Sequence, residues 1–238
     1  MTTNKIAVIT GASQGIGKAI ALGLAEDGYQ TILIARSHDK LLAVAEEITQ
    51  INPALKPELF ALDILQGENI KNVIQQIQEK YQGIDVFINN AGVWLTGSLG
   101  VEKEKIENLL ATNFIAPYLF IDEVSPFMKQ QGAGYIINIS SRSGKIGFAG
   151  SGLYSASKFA LNGLSESLYK ELAPFGIKVT NICPSWVNTE MAQEANSPLN
   201  PEDMIQPQDI VTSLRYLLNL SAPTAVKELL IECTKTTA

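Results

Sequence analysis

The chain has 238 residues, 46% of them hydrophobic and 18% charged, with a formal net charge of −6. That length buries a sizeable core, in one large α/β domain or two small ones, and the negative charge gives no electrostatic case for binding nucleic acid or an anionic membrane surface. No stretch approaches the roughly 18 uninterrupted apolar residues of a membrane span, the N-terminus turns strand-like too early for a signal peptide, and Cys183 and Cys233 stand alone, so a reducing cytoplasm is the expected setting.

A strand buried on both faces is expected at Ile6–Thr10, a short apolar, β-branched run. It enters Thr10-Gly11-Ala12-Ser13-Gln14-Gly15-Ile16-Gly17 and then the helical pattern Lys18–Asp27. Strand, glycine-rich turn and helix place backbone N–H groups and a helix N-terminus against a phosphate. The spacing is Gly-x-x-x-Gly-x-Gly, unlike the commonest dinucleotide fingerprint. Gln30–Ala35 reads as a second strand and Asp39–Gln50 as a helix. Between them, Arg36-Ser37 stands where a NAD-binding fold would carry a carboxylate for the ribose hydroxyls. An arginine there suits a 2′-phosphate, and Ser37 adds a hydroxyl donor. The neighbouring His38 is the single histidine, set in a polar turn. Any Ser-His-Asp hydrolase would have to use it, and a zinc site would be short of ligands, so no metal is expected.

Glu58–Leu62 reads as a third strand, running into Asp63-Ile64, followed by a helix at Ile70–Tyr81. The strand Ile84–Asn89 ends in Asn89-Asn90-Ala91-Gly92, suited to a ligand crevice or a tight turn. A long helical region spans about Lys103–Gln130, with Asn113 inside it and a kink expected at Pro117. Strand Gly134–Ser140 leaves through Ser141-Arg142-Ser143-Gly144, and Gly152–Ala173 forms a helix. A sixth strand, Ile177–Cys183, is broken by Pro184-Ser185-Trp186-Val187-Asn188-Thr189. The polar, proline-containing segment of about residues 190–207 reads as a mobile loop or lid over the substrate. Helix Gln208–Leu220 and strand Val226–Ile231 complete the chain. Alternation of strand and helix without repeat or linker predicts one domain over residues 1–238, both dinucleotide-binding and catalytic. Its expected architecture is a doubly wound Rossmann-type α/β fold, a mostly parallel seven-stranded sheet with helices on both faces.

Within the helix at 152–173, Tyr154 and Lys158 are four residues apart and share a face. At about 4 Å and an effective dielectric of about 20, an ammonium attracts a phenolate by roughly 4 kcal/mol. That would lower the tyrosine pKa by about 2–3 units and make it useful near neutrality.

Taken together, these residues resemble the short-chain dehydrogenase/reductase family over essentially the whole chain. The matching pieces are Thr10–Gly17, Asp63, Asn89–Gly92, Asn113, Ser141, Tyr154-x-x-x-Lys158 and Pro184-x-x-Val187-x-Thr189. The resemblance implies that Tyr154 is general acid in carbonyl reduction and base in alcohol oxidation. Lys158 would lower its pKa and hold the nicotinamide ribose, and Ser141 would hydrogen-bond the substrate oxygen. Asn113 would kink its helix and hold a relay water. Gly11, Ser13, Gln14, Gly15, Ile16 and Gly17 would cradle the cofactor. Asp63 and Ile64 would meet its adenine, Asn90, Ala91 and Gly92 its adenosine ribose region, and Pro184, Val187 and Thr189 its carboxamide end. Arg36 favours NADP(H), with NAD(H) the alternative. The resemblance further implies a small carbonyl or alcohol substrate, first of all a 3-oxoacyl thioester. A homodimer through the two long helices, or a homotetramer, is expected. Alternatives are an NAD-dependent alcohol dehydrogenase and a non-catalytic dinucleotide-binding sensor or scaffold. Trp94, Phe148, Leu153, Trp186 and Met191 are the apolar residues expected near the substrate.

Overall fold

The computed structural model describes residues 4–235. Seven strands, β1 (Ile6–Thr10), β2 (Gln30–Ala35), β3 (Glu58–Ala61), β4 (Val86–Asn89), β5 (Gly134–Ile139), β6 (Ile177–Pro184) and β7 (Glu228–Ile231), form one sheet in the order β3-β2-β1-β4-β5-β6-β7. Every pairing is parallel, where the sequence had suggested mostly parallel. The strand order reverses between β1 and β4, so a crevice opens at the carboxyl ends of those strands.

Alternation along the strands builds two apolar layers. Ala7 and Ile9 of β1 face a core with Ile20 and Leu24 of α1 (Gly15–Glu26), Leu41 and Val44 of α2 (His38–Ile51), and Ile210 and Leu214 of α8 (Pro207–Leu218). Val8 faces the other layer, with Ile70 and Ile74 of α3 (Gly67–Tyr81), Phe120 and Val124 of α5 (Ala116–Gln131) and Leu172 of α6 (Gly152–Leu172). Period-2 strands and amphipathic helices on both faces leave only the strand ends for chemistry.

Two expectations change. The irregularity in the long helical region is not at Pro117 but one turn earlier. α4 (Lys103–Leu110) passes through a wide π-helical turn, Ala111–Ile115, before α5 resumes with Pro117 in its first turn. The helical path runs on through the wide turn, where Ala116 N donates back to Ala111 O, and Pro117, which has no N–H, follows directly on that change of hydrogen-bond register. The 190–207 segment is not an open loop either. It contains α7 (Glu190–Glu194) and is tied at its far end, where Ile205 N donates to Trp186 O at 3.0 Å and Asn188 N to Ile205 O at 2.9 Å. Ala192, Met204 and Ile205 are buried beneath it, which the polar composition of the segment concealed.

Beneath the crevice three asparagines stand in register on neighbouring strands, Asn89, Asn138 and Asn181. Asn89 Nδ2 donates to Asn138 Oδ1 at 2.9 Å, and Asn138 Nδ2 donates to Ser165 Oγ at 2.9 Å and to Asn181 Oδ1 at 3.4 Å. All are buried, so removing the central member strands its partners without water. Asn138→Ala should therefore lower unfolding stability by roughly 2–4 kcal/mol, read from urea denaturation.

Candidate active site

The crevice is a cavity of about 820 Å³ running from the β1 and β2 ends to the β6 end. Its floor at one end is the glycine turn. Gly11 and Gly15 take positive φ values of 64° and 54°. A Cβ on Gly17 would lie 2.3 Å from Gly11 O, which explains why no larger residue stands there. α1 begins at Gly15, earlier than its apolar spacing announces, and no side chain caps it nor any acid occupies its first turn. Its first N–H groups are thus left for an anion from outside the chain, at the positive end of the helix dipole.

Arg36 and Lys40 line the same end and supply positive charge, and among the described residues Arg36 has no carboxylate partner. Lys40 escaped the sequence reading. It stands in the first turn of α2, three residues after the Ser37 cap, while Arg36 precedes the helix, and the nearness of the two cations in sequence was the available signal. Its ammonium donates to Gln14 Oε1 at 2.7 Å, while Gln14 Nε2 donates to Glu190 Oε2 at 2.8 Å. A lysine from α2 thus stands beside the position where the glycine turn itself lacks a basic residue. Ser37 is first of all the α2 cap, its hydroxyl accepting from Lys40 N at 3.4 Å.

Ser13, Ile16, Asp63, Ile64, Ala91, Gly92, Pro184, Val187 and Thr189 also line the cavity. Asn90 lines it too, but its Nδ2 is committed to Thr10 O and Gly11 O at 3.0 and 3.1 Å, so it braces the glycine turn. Gly17 and Asn113 do not line it. Asn113 is buried behind Gly92, and its carboxamide makes a two-point pairing with the Val93 backbone: Val93 N donates to Oδ1 at 2.8 Å and Nδ2 donates to Val93 O at 2.9 Å. Nδ2 also reaches Ser157 Oγ at 3.2 Å, and that hydroxyl donates to Tyr154 O at 2.7 Å. Asn113 therefore clamps the β4 exit loop to the helix that carries Tyr154.

Ser141, Tyr154 and Lys158 meet at the other end of the cavity. Lys158 Nζ donates to Ile139 O at 3.0 Å and lies 5.9 Å from the centre of the Tyr154 ring. Both side chains are almost wholly buried. The expected depression of the tyrosine pKa does not hold here. Burial pushes Tyr154 up to about 12, with the Ser141 hydroxyl pulling the other way. Burial likewise pushes Lys158 down to about 8, opposed by Cys183. Loss of hydration outweighs the attraction anticipated from helical spacing. Ser141 Oγ accepts from Ser143 N at 3.1 Å, which sets its rotamer. The Ser185 amide donates to Ile231 O at 2.8 Å, so a serine fits the turn after Pro184, its own hydroxyl buried without a partner. Trp94, Phe148, Trp186 and Met191 line this end as expected, whereas Leu153 does not. Among the described residues no cluster of potential metal ligands occurs, and no helix is long and apolar enough to cross a membrane.

The free N–H groups of α1 and the glycine cradle fit a nicotinamide dinucleotide. Comparisons with known proteins agree in kind. The short chain dehydrogenase family profile matches residues 5–200. An uncharacterized oxidoreductase of Staphylococcus aureus strain MRSA252 is 34% identical over 232 residues, covering 96% of this chain and 97% of that one. The crystal structure of a β-ketoacyl-[ACP] reductase from Bacteroides thetaiotaomicron superposes with a TM-score of 0.88 at 43% identity, covering 99% of each chain. A metagenomic short-chain oxidoreductase in complex with NADP gives 0.84 at 34% identity, covering 97% of each chain.

The buried ammonium has a measurable signature. Between pH 8 and 10.5 the unfolded chain holds the Lys158 proton more firmly than the folded one, so this group adds stability as pH rises through that window. The difference in unfolding free energy between wild type and Lys158→Met should rise there by about 2–4 kcal/mol, and a flat difference would contradict the burial argument.

Proposed function

The chain belongs to the short-chain dehydrogenase family and is an NAD(P)-dependent oxidoreductase, and from that premise we propose that it reduces a ketone or aldehyde with NADPH. The observation that carries the reading is the meeting of Ser141, Tyr154 and Lys158 at one end of the cavity, with burial favouring the protonated phenol. When bound, the dinucleotide supplies a hydride to the carbonyl carbon or accepts one from the alcohol carbon. Tyr154 gives its phenolic proton to the carbonyl oxygen, leaving an alcohol. Ser141 donates a hydrogen bond to the same oxygen, where negative charge develops. Lys158 provides the fixed positive charge that favours the phenolate left after proton transfer. Asn113 acts at one remove, by holding Val93 and the Tyr154 backbone in place.

Arg36 and Lys40 would hold the 2′-phosphate, the α1 N-terminus the pyrophosphate, and Asp63, Pro184, Val187 and Thr189 the two ends of the cofactor. The set supports NADP(H) over NAD(H), because charge-assisted hydrogen bonds from a guanidinium and an ammonium match a dianion and would leave a plain ribose unrewarded. The buried, unpaired thiol of Cys183 supports a reducing compartment such as the cytoplasm.

Tyr154→Phe should remove turnover by about three orders of magnitude or more while leaving dinucleotide affinity within about threefold, measured by steady-state kinetics and calorimetry. Turnover unchanged by the substitution would refute the mechanism. The apolar residues Ile115, Tyr118 and Phe159, exposed on the π turn, α5 and α6, support self-association through these helices. Sedimentation equilibrium at micromolar concentration should give a mass of twice the 25.8 kDa chain or more, and a 25.8 kDa particle would refute it.

A further inference from the structure

The substrate end of the cavity is walled by rings. Trp94 lies against Tyr154 with ring centres 4.6 Å apart and planes inclined by 52°, and Trp186 stands 6.3 Å from Trp94 at 49°. The Trp94 ring and the Trp186 backbone are held. Trp94 Nε1 donates to Thr96 Oγ1 at 3.1 Å, and the Trp186 carbonyl accepts from Ile205 N at 3.0 Å and from Cys233 Sγ at 3.2 Å. Phe148 lines the same end, its face covered by the Arg142 guanidinium at 4.6 Å.

The two cations beside Tyr154 and Phe148 are engaged inside the protein. Arg142 pairs with Glu232 at 3.0 Å and Lys158 donates to Ile139 O, while Glu190 accepts from Gln14. Among the described residues, neither of these two cations is left for a substrate carboxylate or phosphate. α7, at the cavity mouth, carries Glu190 and Glu194, and the whole chain has a net charge of −6. Such a rim gives an acidic carrier protein no electrostatic steering toward this end.

Resting on the reductase reading above, we propose that Trp94 and Trp186 form an aromatic slot that selects neutral ketones carrying a flat, conjugated group beside the carbonyl. The carbonyl oxygen meets Tyr154 and Ser141 while the flat group lies against the indole walls, in the offset or tilted contacts that aromatic quadrupoles favour. The Trp94 ring, already held by Thr96, loses little freedom when it meets such a group.

Calorimetry on the protein saturated with NADP+ tests this with three probes: acetophenone, cyclohexyl methyl ketone and acetoacetyl-coenzyme A. Acetophenone should bind roughly tenfold tighter than its saturated counterpart, the size two ring contacts give, and the thioester should bind more weakly than either. Trp94→Leu and Trp186→Leu should each erase the aryl preference, and Trp94→Phe should keep most of it. Equal binding of the two ketones, tightest binding of the thioester, or no saturable binding of acetophenone would overturn the slot. Reduction of the thioester through Tyr154 with no aryl preference would overturn the slot and leave the reductase standing. Selective binding of acetophenone with no carbonyl turned over would support the slot and remove the reductase.

Discussion

Everything at the site depends on the carboxyl ends of β4, β5 and β6 being held level, and the buried asparagine ladder does that. Asn89, Asn138 and Asn181 occupy register-matched positions, and the ladder reaches beyond the sheet at both sides. Asn89 Nδ2 contacts Pro117 O, just past the wide turn, at 3.4 Å, and Asn138 Nδ2 contacts Ser165 Oγ on α6. One slip of register would move each of these amides to the opposite face and leave it buried without partners. The helix carrying Asn113 and the helix carrying Tyr154 and Lys158 are therefore fixed to the same three strands. Ser157 closes the frame by joining Asn113 to the Tyr154 backbone.

Within that frame the fold tolerates an electrostatically unfavourable arrangement. A lysine and a tyrosine are both stripped of water, and each responds by favouring its neutral form. Under the proposed reduction this would be useful. The phenol would keep the proton to be delivered, and the lysine, with its pKa near 8, would stay cationic at neutral pH beside the developing phenolate. The same dry environment would strengthen a hydrogen bond from Ser141 to a substrate oxygen. The cofactor end works by opposite means, with exposed basic residues and unsatisfied backbone N–H groups that favour an anion without burying charge.

The fold was largely legible because it rests on short-range signals. Apolar runs, most of them β-branched, announced the strands, and their alternation with amphipathic helices announced the doubly wound sheet. The glycine turn, Arg36, Ser141, Tyr154 and Lys158 were legible as a pattern, and the structure brings them to one cavity. What escaped reading depends on contacts between distant parts of the chain. The wide turn at Ala111–Ile115 surrounds Asn113, which the family resemblance marked for a kink, whereas residue type alone pointed to the nearby proline. The bond between Gln14 and Glu190 spans 176 positions. The raised tyrosine pKa follows from burial by surrounding elements, which helical spacing does not report. The 190–207 segment looked loose because its polar residues outnumber the few buried ones that anchor it.

The central claim is that the glycine turn, Arg36 and Lys40 together form an anion site matched to a phosphorylated dinucleotide. Calorimetric titration of the wild-type protein with NADPH and with NADH tests it most directly. The account predicts NADPH binding at least ten times tighter than NADH, a difference of about 1.4 kcal/mol or more. Equal affinity, or tighter binding of NADH, would contradict it.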